Sequence, residues 1–342
     1  VDIFPRSDDP GTMEDRRAVL KKALRLAGLA AATPFLGAAA PYVRLPGEQG
    51  NTDDERTRFA YEIAAIRAHL LVQPAIQNQP ALLALWANLN QFQRTANVNV
   101  FDLRAWTAIF GSVNAVTLLD QQSAAAWLTQ AHTYARLAGD PNLISLAHSK
   151  SANAGMYFDI DPKYLLTDAT LAIKYGTTPE RQGMGHAMMA RAAALAGQAG
   201  VAIQAGDKAV ELAETGPPES PVTDGWTANQ AHMTVARSLS SFERLHGLVE
   251  EHTTEALRTN TGAGSLWRAQ PLLTVAEART RSGAIDGAAE NILTVITEME
   301  SPIQFQPSIA KRVEEIVKLA EDKHPNTDAM RAVRARLAAM SV

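Results

Sequence analysis

Apolar and small residues recur along this chain at the three- and four-residue spacing of helices, and the pattern is broken at intervals by proline, glycine and capping side chains. Asp140-Pro141, Asp161-Pro162 and Thr178-Pro179 each set a capping residue before a proline. Proline suits the first helical turn because the N–H it lacks would be unpaired there anyway. Gly139, Gly176, Gly197, Gly247 and Gly283 mark helix ends or tight hairpin turns. These signals predict helices over 102–119, 121–138, 141–157, 161–175, 179–196, 199–214, 224–246, 248–259, 264–282 and 284–299, with a capping pair at 307–321 and 326–340. Upstream, capping candidates at 51–54 predict a helix over 53–71 ended by Pro74, and Pro80 opens another through 93. No series of alternating Val/Ile-rich segments predicts a large sheet.

The paired helices begin about every 40 residues, a period typical of stacked helical repeats. One hairpin cannot bury its own apolar face, so such pairs stack into a solenoid with a concave surface. The clearest internal echo sets Ala190-Arg191-Ala192-Ala193-Ala194-Leu195-Ala196-Gly197 against Ala276-Glu277-Ala278-Arg279-Thr280-Arg281-Ser282-Gly283. The following helices carry Ala202 and Ala209 in one repeat, Ala288 and Val295 in the other.

These small-residue positions resemble those that let tetratricopeptide helices nest. The aromatic signature positions are mostly absent, so the resemblance is to a divergent form, close over 100–300 and looser over 51–340. It implies an all-α antiparallel helix-hairpin solenoid, a right-handed superhelix whose hollow takes a peptide, protein or small molecule. In that register the residue after the small position of each first helix faces the hollow: Asn114, Asn153, Arg191, Ser241 and Glu277. One turn away come Ser149, Arg237, Arg244 and Gln270. An Asn amide pairs with both N–H and C=O of an extended backbone, and an Arg fork captures carboxylates. The bland alternative for each position is a solvated helix face. Trp106, Trp127, Trp226 and Trp267 offer either aromatic walls or core packing.

Residues 1–50 read as a linker followed by an N-terminal helix, and 51–342 as the repeat region. After a Pro- and Gly-containing start comes Asp15-Arg16-Arg17-Ala18-Val19-Leu20-Lys21-Lys22, then an apolar stretch over 23–40. One reading is a twin-arginine export signal, with Ala38-Ala39-Ala40 as a small-residue cleavage site. The other is an amphipathic helix with Leu20, Leu24, Ala27 and Ala31 near one face and a basic cluster of Arg16, Arg17, Lys21, Lys22 and Arg25. That cluster suits DNA phosphate, anionic lipid or an acidic partner, or simply solvent, with the apolar side free for a homodimer contact. Arg25 and Pro34 break the stretch too early for a transmembrane span. Val1-Asp2-Ile3-Phe4-Pro5 resembles the close of a xenobiotic-response-element-type helix-turn-helix domain. In many actinobacterial regulators of that type, a similar linker and Asp-Arg-Arg-x-x-Leu segment lead into tetratricopeptide-like repeats. The resemblance implies the sensor portion of a cytoplasmic transcriptional regulator. DNA would then be reached only through a domain outside this chain.

Composition narrows the chemistry. The net charge of −4 argues against bulk nucleic-acid binding by the repeats. The absence of cysteine excludes disulfides, thiolate metal sites and thiol catalysis. The eight histidines make no His-Glu-x-x-His motif, and Gly262-Ala263-Gly264-Ser265 lacks the order of a nucleophile elbow. His148 and His186 lie on successive first helices and would be the acid–base candidates of an enzyme. Gly183 and Gly185 inside a helical pattern predict close approach of a neighbouring helix or ligand. The expectation is a non-catalytic, ligand-responsive solenoid without cofactor or metal. An interaction scaffold, an exported helical protein and a groove-centred enzyme remain alternatives.

Overall fold

A computed structural model describes residues 13–26, 36–44, 52–70, 73–215, 226–258, 265–299, 306–324 and 327–340. These are helical with short connections, and none of the described residues is in a strand. The helices are α1 Met13–Leu26, α2 Leu36–Ala39, α3 Thr52–Leu70, α4 Ala75–Ala96, α5 Phe101–Thr117, α6 Gln121–Ala138, α7 Pro141–Tyr157 and α8 Pro162–Tyr175. They continue with α9 Pro179–Leu195, α10 Ala199–Glu214, α11 Ala228–Leu239, α12 His246–Arg258, α13 Ser265–Ser282, α14 Ile285–Glu298, α15 Pro307–Lys323 and α16 Asp328–Met340.

The helix starts follow from the capping chemistry. Asp140 accepts from the N–H groups of Asn142 (2.8 Å) and Leu143 (3.4 Å), Asp161 from Lys163 (2.9 Å), and Thr178 from Arg181 (3.3 Å). Each satisfies a donor with no partner inside the helix. Gly139, Gly197 and Gly283 close α6, α9 and α13 at φ of 70°, 73° and 88°, a backbone region where a Cβ is strained.

Three boundaries differ from expectation. The fourth helix starts at Ala75, with Pro74 as its extended N-cap and Pro80 inside it. Pro80 forfeits only the bond to the Ile76 carbonyl, and Ile76 is exposed, so water can replace it. The predicted helix over 224–246 ends at Leu239 and resumes as a 3-10 turn, Glu243–Leu245. The hydroxyls of Ser240 and Ser241 donate to the carbonyls of Arg237 and Ser238 and compete with the helical ladder there. Gly247 therefore sits in the first turn of α12 rather than in a hairpin.

From α5 onward each odd-numbered helix packs on the next even-numbered one, and the odd-numbered helices α5, α7, α9, α11, α13 and α15 form a continuous ladder of neighbours. This is an all-α helical-repeat solenoid. The curvature brings α15 back into contact with α5. Small residues set the spacing. A Cβ on Gly111 of α5 would lie 2.4 Å from the indole of Trp127 on α6, and one on Gly185 would meet the Ile173 backbone at 2.9 Å. Gly183 makes room for Trp226 in the same way.

The buried apolar residues form three clusters spread along the array. Trp86 and Trp127 meet edge to face with ring centroids 5.3 Å apart, and Met184 and Met188 are core filler. At the N-terminal end α1 packs on α4, with Leu20 fully buried. Arg16 is also buried and donates to the Val43 carbonyl, so it leaves the basic cluster, whereas Arg17, Lys21 and Lys22 are exposed. The side chains of Leu24 and Arg25, and residues 27–35, lie outside what is described, as do residues 1–12 with the Ile3-Phe4-Pro5 phrase.

Candidate functional site: a cationic hollow

A half-open cavity of about 460 Å³ lies between α7, α9, α11, α13 and α15, within the usual range for small-ligand sites. Arg191 on α9, Arg237 on α11 and Arg312 on α15 converge there around Tyr157, the last residue of α7. Arg237 Nη1 donates to the Tyr157 hydroxyl at 2.7 Å, and its guanidinium lies 4.9 Å from that ring's centroid. Arg191 lies over the same ring at 5.9 Å and donates to Asn153 Oδ1 at 2.7 Å. Arg312, only 5% exposed, is pinned by Gln270 Oε1 (2.6 Å) and Thr274 Oγ1 (2.8 Å).

Among the described residues one carboxylate lies within ion-pair distance of these charges, and Glu315 acts on Arg312 from farther away. Glu277 on α13 lies 3.6 Å from Arg312, pairs with Arg281 at 3.0 Å and accepts from the Ser240 hydroxyl at 3.1 Å. Arg191 and Arg237 have no carboxylate partner among the described residues. Lys311 of α15 bonds the Tyr157 carbonyl at 3.1 Å, so α15 is fastened to the far end of α7.

The electrostatics follow from this crowding. Burial pushes the Tyr157 phenol up, but the charges of Arg237 and Arg191 and the Arg237 hydrogen bond outweigh it and bring it down to about 8. Burial, then the Arg237 charge, draws Arg191 down to about 9, and the same two causes draw Arg312 down to about 10. Arg191 and Arg312 therefore stay charged at neutral pH, each repelled by the Arg237 charge.

The residues expected from the repeat register divide into three groups. Arg191, Arg237, Ser241 and Glu277 line the hollow. Asn153 and Gln270 stand behind it, each holding an arginine. Asn114, Ser149 and Arg244 are elsewhere. Asn114 is fully buried and donates to Gln79 Oε1 on α4 at 2.7 Å. Ser149 is buried with its hydroxyl unpartnered, and Arg244 is exposed on the 3-10 turn. No Asn ladder lines the hollow. Of the tryptophans, Trp127 and Trp226 are core and Trp106 stacks on Phe110, while the side chain of Trp267 lies outside the described set.

Tyr157, Lys311 and Arg312 were not expected. Tyr157 ends its helix beyond the repeat register, and α15 reads as a cap. The available signal was the adjacent pair Lys311-Arg312 on a strongly amphipathic helix.

The histidines lie between helices rather than in the hollow. His148 Nδ1 is 2.8 Å from Asp168 on α8, with its ring 4.6 Å from that of His132. His132 Nε2 bonds Ser151 at 2.8 Å, and burial, then the His148 charge, brings His132 down to about 4. Half-buried His186 faces Lys208 and Glu211 of α10. His232 and His252 face each other Nδ1 to Nδ1 at 2.9 Å. Among the described residues, no three His, Asp or Glu side chains are grouped to hold a metal, and no helix is long and apolar enough to cross a membrane.

The fold and the hollow define a class: a helical-repeat solenoid with a cation-lined interior. Comparison with family models, curated proteins and solved structures returned no match.

Proposed function

We propose that this chain is a non-catalytic, ligand-responsive module, the sensor portion of a transcriptional regulator acting in the cytoplasm. The observation that carries the reading is the convergence of Arg191, Arg237 and Arg312, from three helices, on Tyr157 of a fourth inside one cavity. Buried like charges are costly to assemble, and a fold that holds them without matching carboxylates gains from a bound anion. A ligand there touches α7, α9, α11, α13 and α15 together. It therefore favours the closed array over a more open one, and differential affinity for the two forms is what shifts a population. A peptide or a small molecule satisfies this logic, and the cavity volume favours a short occupant.

Docking of α1 supports its reading as part of the fold, because Leu20 is sealed and Arg16 is spent on the Val43 carbonyl. In this reading α1 relays the change to a DNA-binding domain or a dimer partner. The test is retention from peptide and metabolite extracts. The wild type retains a species that an Asn153→Ala/Arg191→Ala double variant loses. Equal retention by both proteins overturns the assignment of the hollow.

A further inference from the structure

The charge balance of the hollow specifies more than a ligand of unstated kind. Resting on the reading of the hollow as a ligand site, we propose that its ligand is a small phosphate monoester. The phosphoryl group sits between Arg191, Arg237 and Arg312, and the Tyr157 hydroxyl serves as a fourth contact.

Six cationic side chains line the hollow against four carboxylates, and Glu277, the carboxylate nearest the three guanidinium groups, is already shared with Arg281 and Ser240. At least two positive charges are thus unmatched, which calls for a dianion. Arg191 and Arg237 each spend one printed hydrogen bond on a neutral acceptor, Asn153 Oδ1 and the Tyr157 hydroxyl. None of the nitrogens of Arg191, Arg237 or Arg312 is among the sealed polar atoms that lack a partner. The nitrogens of Arg191 and Arg237 without a hydrogen bond are therefore not sealed from solvent, and all three residues line the cavity.

Forks arriving from three helices match a tetrahedral group with three acceptor oxygens. A planar carboxylate, with two, engages one fork well. Tyr157 accepts from Arg237 and can turn its O–H toward a bound oxyanion. The cavity also has an apolar wall of Met156, Ala194, Leu195, Ile316 and Leu319, which suits the carbon part of an ester. Asp159, Glu315 and Asp322 also line the cavity and disfavour a polyphosphate or a nucleic acid.

The experiment is calorimetric titration of the full chain with phenyl phosphate and with benzoate at equal ionic strength, alongside Arg237→Gln, Arg191→Gln and Arg244→Gln. Circular dichroism checks the fold of each variant. Phenyl phosphate is expected to bind at least tenfold more tightly than benzoate. Either hollow variant is expected to weaken it at least tenfold, and Arg244→Gln to leave it unchanged. Two variants on different helices keep the test open if one fails to fold. Benzoate binding equally well in an Arg237-dependent way overturns the phosphoryl assignment and leaves the ligand site standing. Phenyl phosphate binding that neither hollow variant alters also overturns it. So does binding of neither probe by a wild type that still retains a species from extracts through Asn153 and Arg191. Binding of neither probe with no such retention sinks both readings.

Discussion

Arg237 and Tyr157, 80 residues apart in sequence, meet at 2.7 Å, so a guanidinium on α11 bonds the phenol that ends α7. With Arg191 and Arg312 also near, the ring oxygen sits in a field that favours its ionised form. The other charged groups lining the same cavity are Asp159, Glu277, Arg281, Lys311, Glu315, Lys318 and Asp322.

The first prediction is spectroscopic. Tyr157 should ionise at about 8, below the ordinary phenol value of about 10, as a phenolate absorbance step that Tyr157→Phe removes. Its folded value lies below the unfolded value of about 10. The group therefore adds stability as pH rises from about 8 towards 10, and that contribution is lost as pH falls back through about 8. A difference titration between wild type and Tyr157→Phe with no step near that pH contradicts the geometry.

At the other end of the scale, three histidines are kept neutral. Burial lowers His132 to about 4, and it also lowers His232 and His252, which share one proton along their Nδ1···Nδ1 contact. Around that contact stand Glu214, Glu251, Glu255, Asp207 and Arg258. An unfolded histidine titrates at about 6.5. Stability from these groups is complete above that value and declines as pH falls towards the folded values. The urea midpoint should drop between about pH 7 and pH 5. The drop should shrink in His232→Asn/His252→Asn.

Packing gives a prediction with an internal control. Gly111→Ala drives a methyl into the Trp127 indole, and overpacking of that kind costs about 1–3 kcal/mol. Gly200→Ala on α10 has nothing within 4 Å and should stay within about 0.5 kcal/mol of wild type. Equilibrium unfolding in urea compares the two directly.

Asp140→Ala removes the acceptor of two N–H groups at the start of α7. A loss of about 1 kcal/mol is expected. Because α7 carries Asn153 and Tyr157, the variant should also weaken any hollow ligand modestly, readable in the same titration.

The helices were legible because their punctuation is local. Asp140-Pro141 states a boundary in two residues, and Gly139 and Gly283 state two more. The hollow was half legible. Arg191 and Glu277 sit at matching positions of the two repeats that echo each other most clearly, and both line it. Asn114 kept the same register in a repeat where that face of α5 meets Gln79 on α4, so its amide is consumed by packing. Tyr157 and Arg312 were invisible for another reason. Their meeting depends on how far the array curves, which sums small rotations over five helix pairs that no short stretch of sequence encodes. The serine-rich end of α11 misled in the opposite sense, since hydroxyls that bond carbonyls three residues back leave no composition mark distinct from a continuous helix.

Repeat arrays ordinarily fray from their ends, each unit answering only to its neighbours. Here Lys311 holds the backbone of Tyr157 across 154 residues of chain. The last hairpin is thereby staked to the middle of the molecule, and peeling it away also disturbs α7. Melting should be less piecemeal than in an open array, with the C-terminal helices lost together with the centre rather than before it.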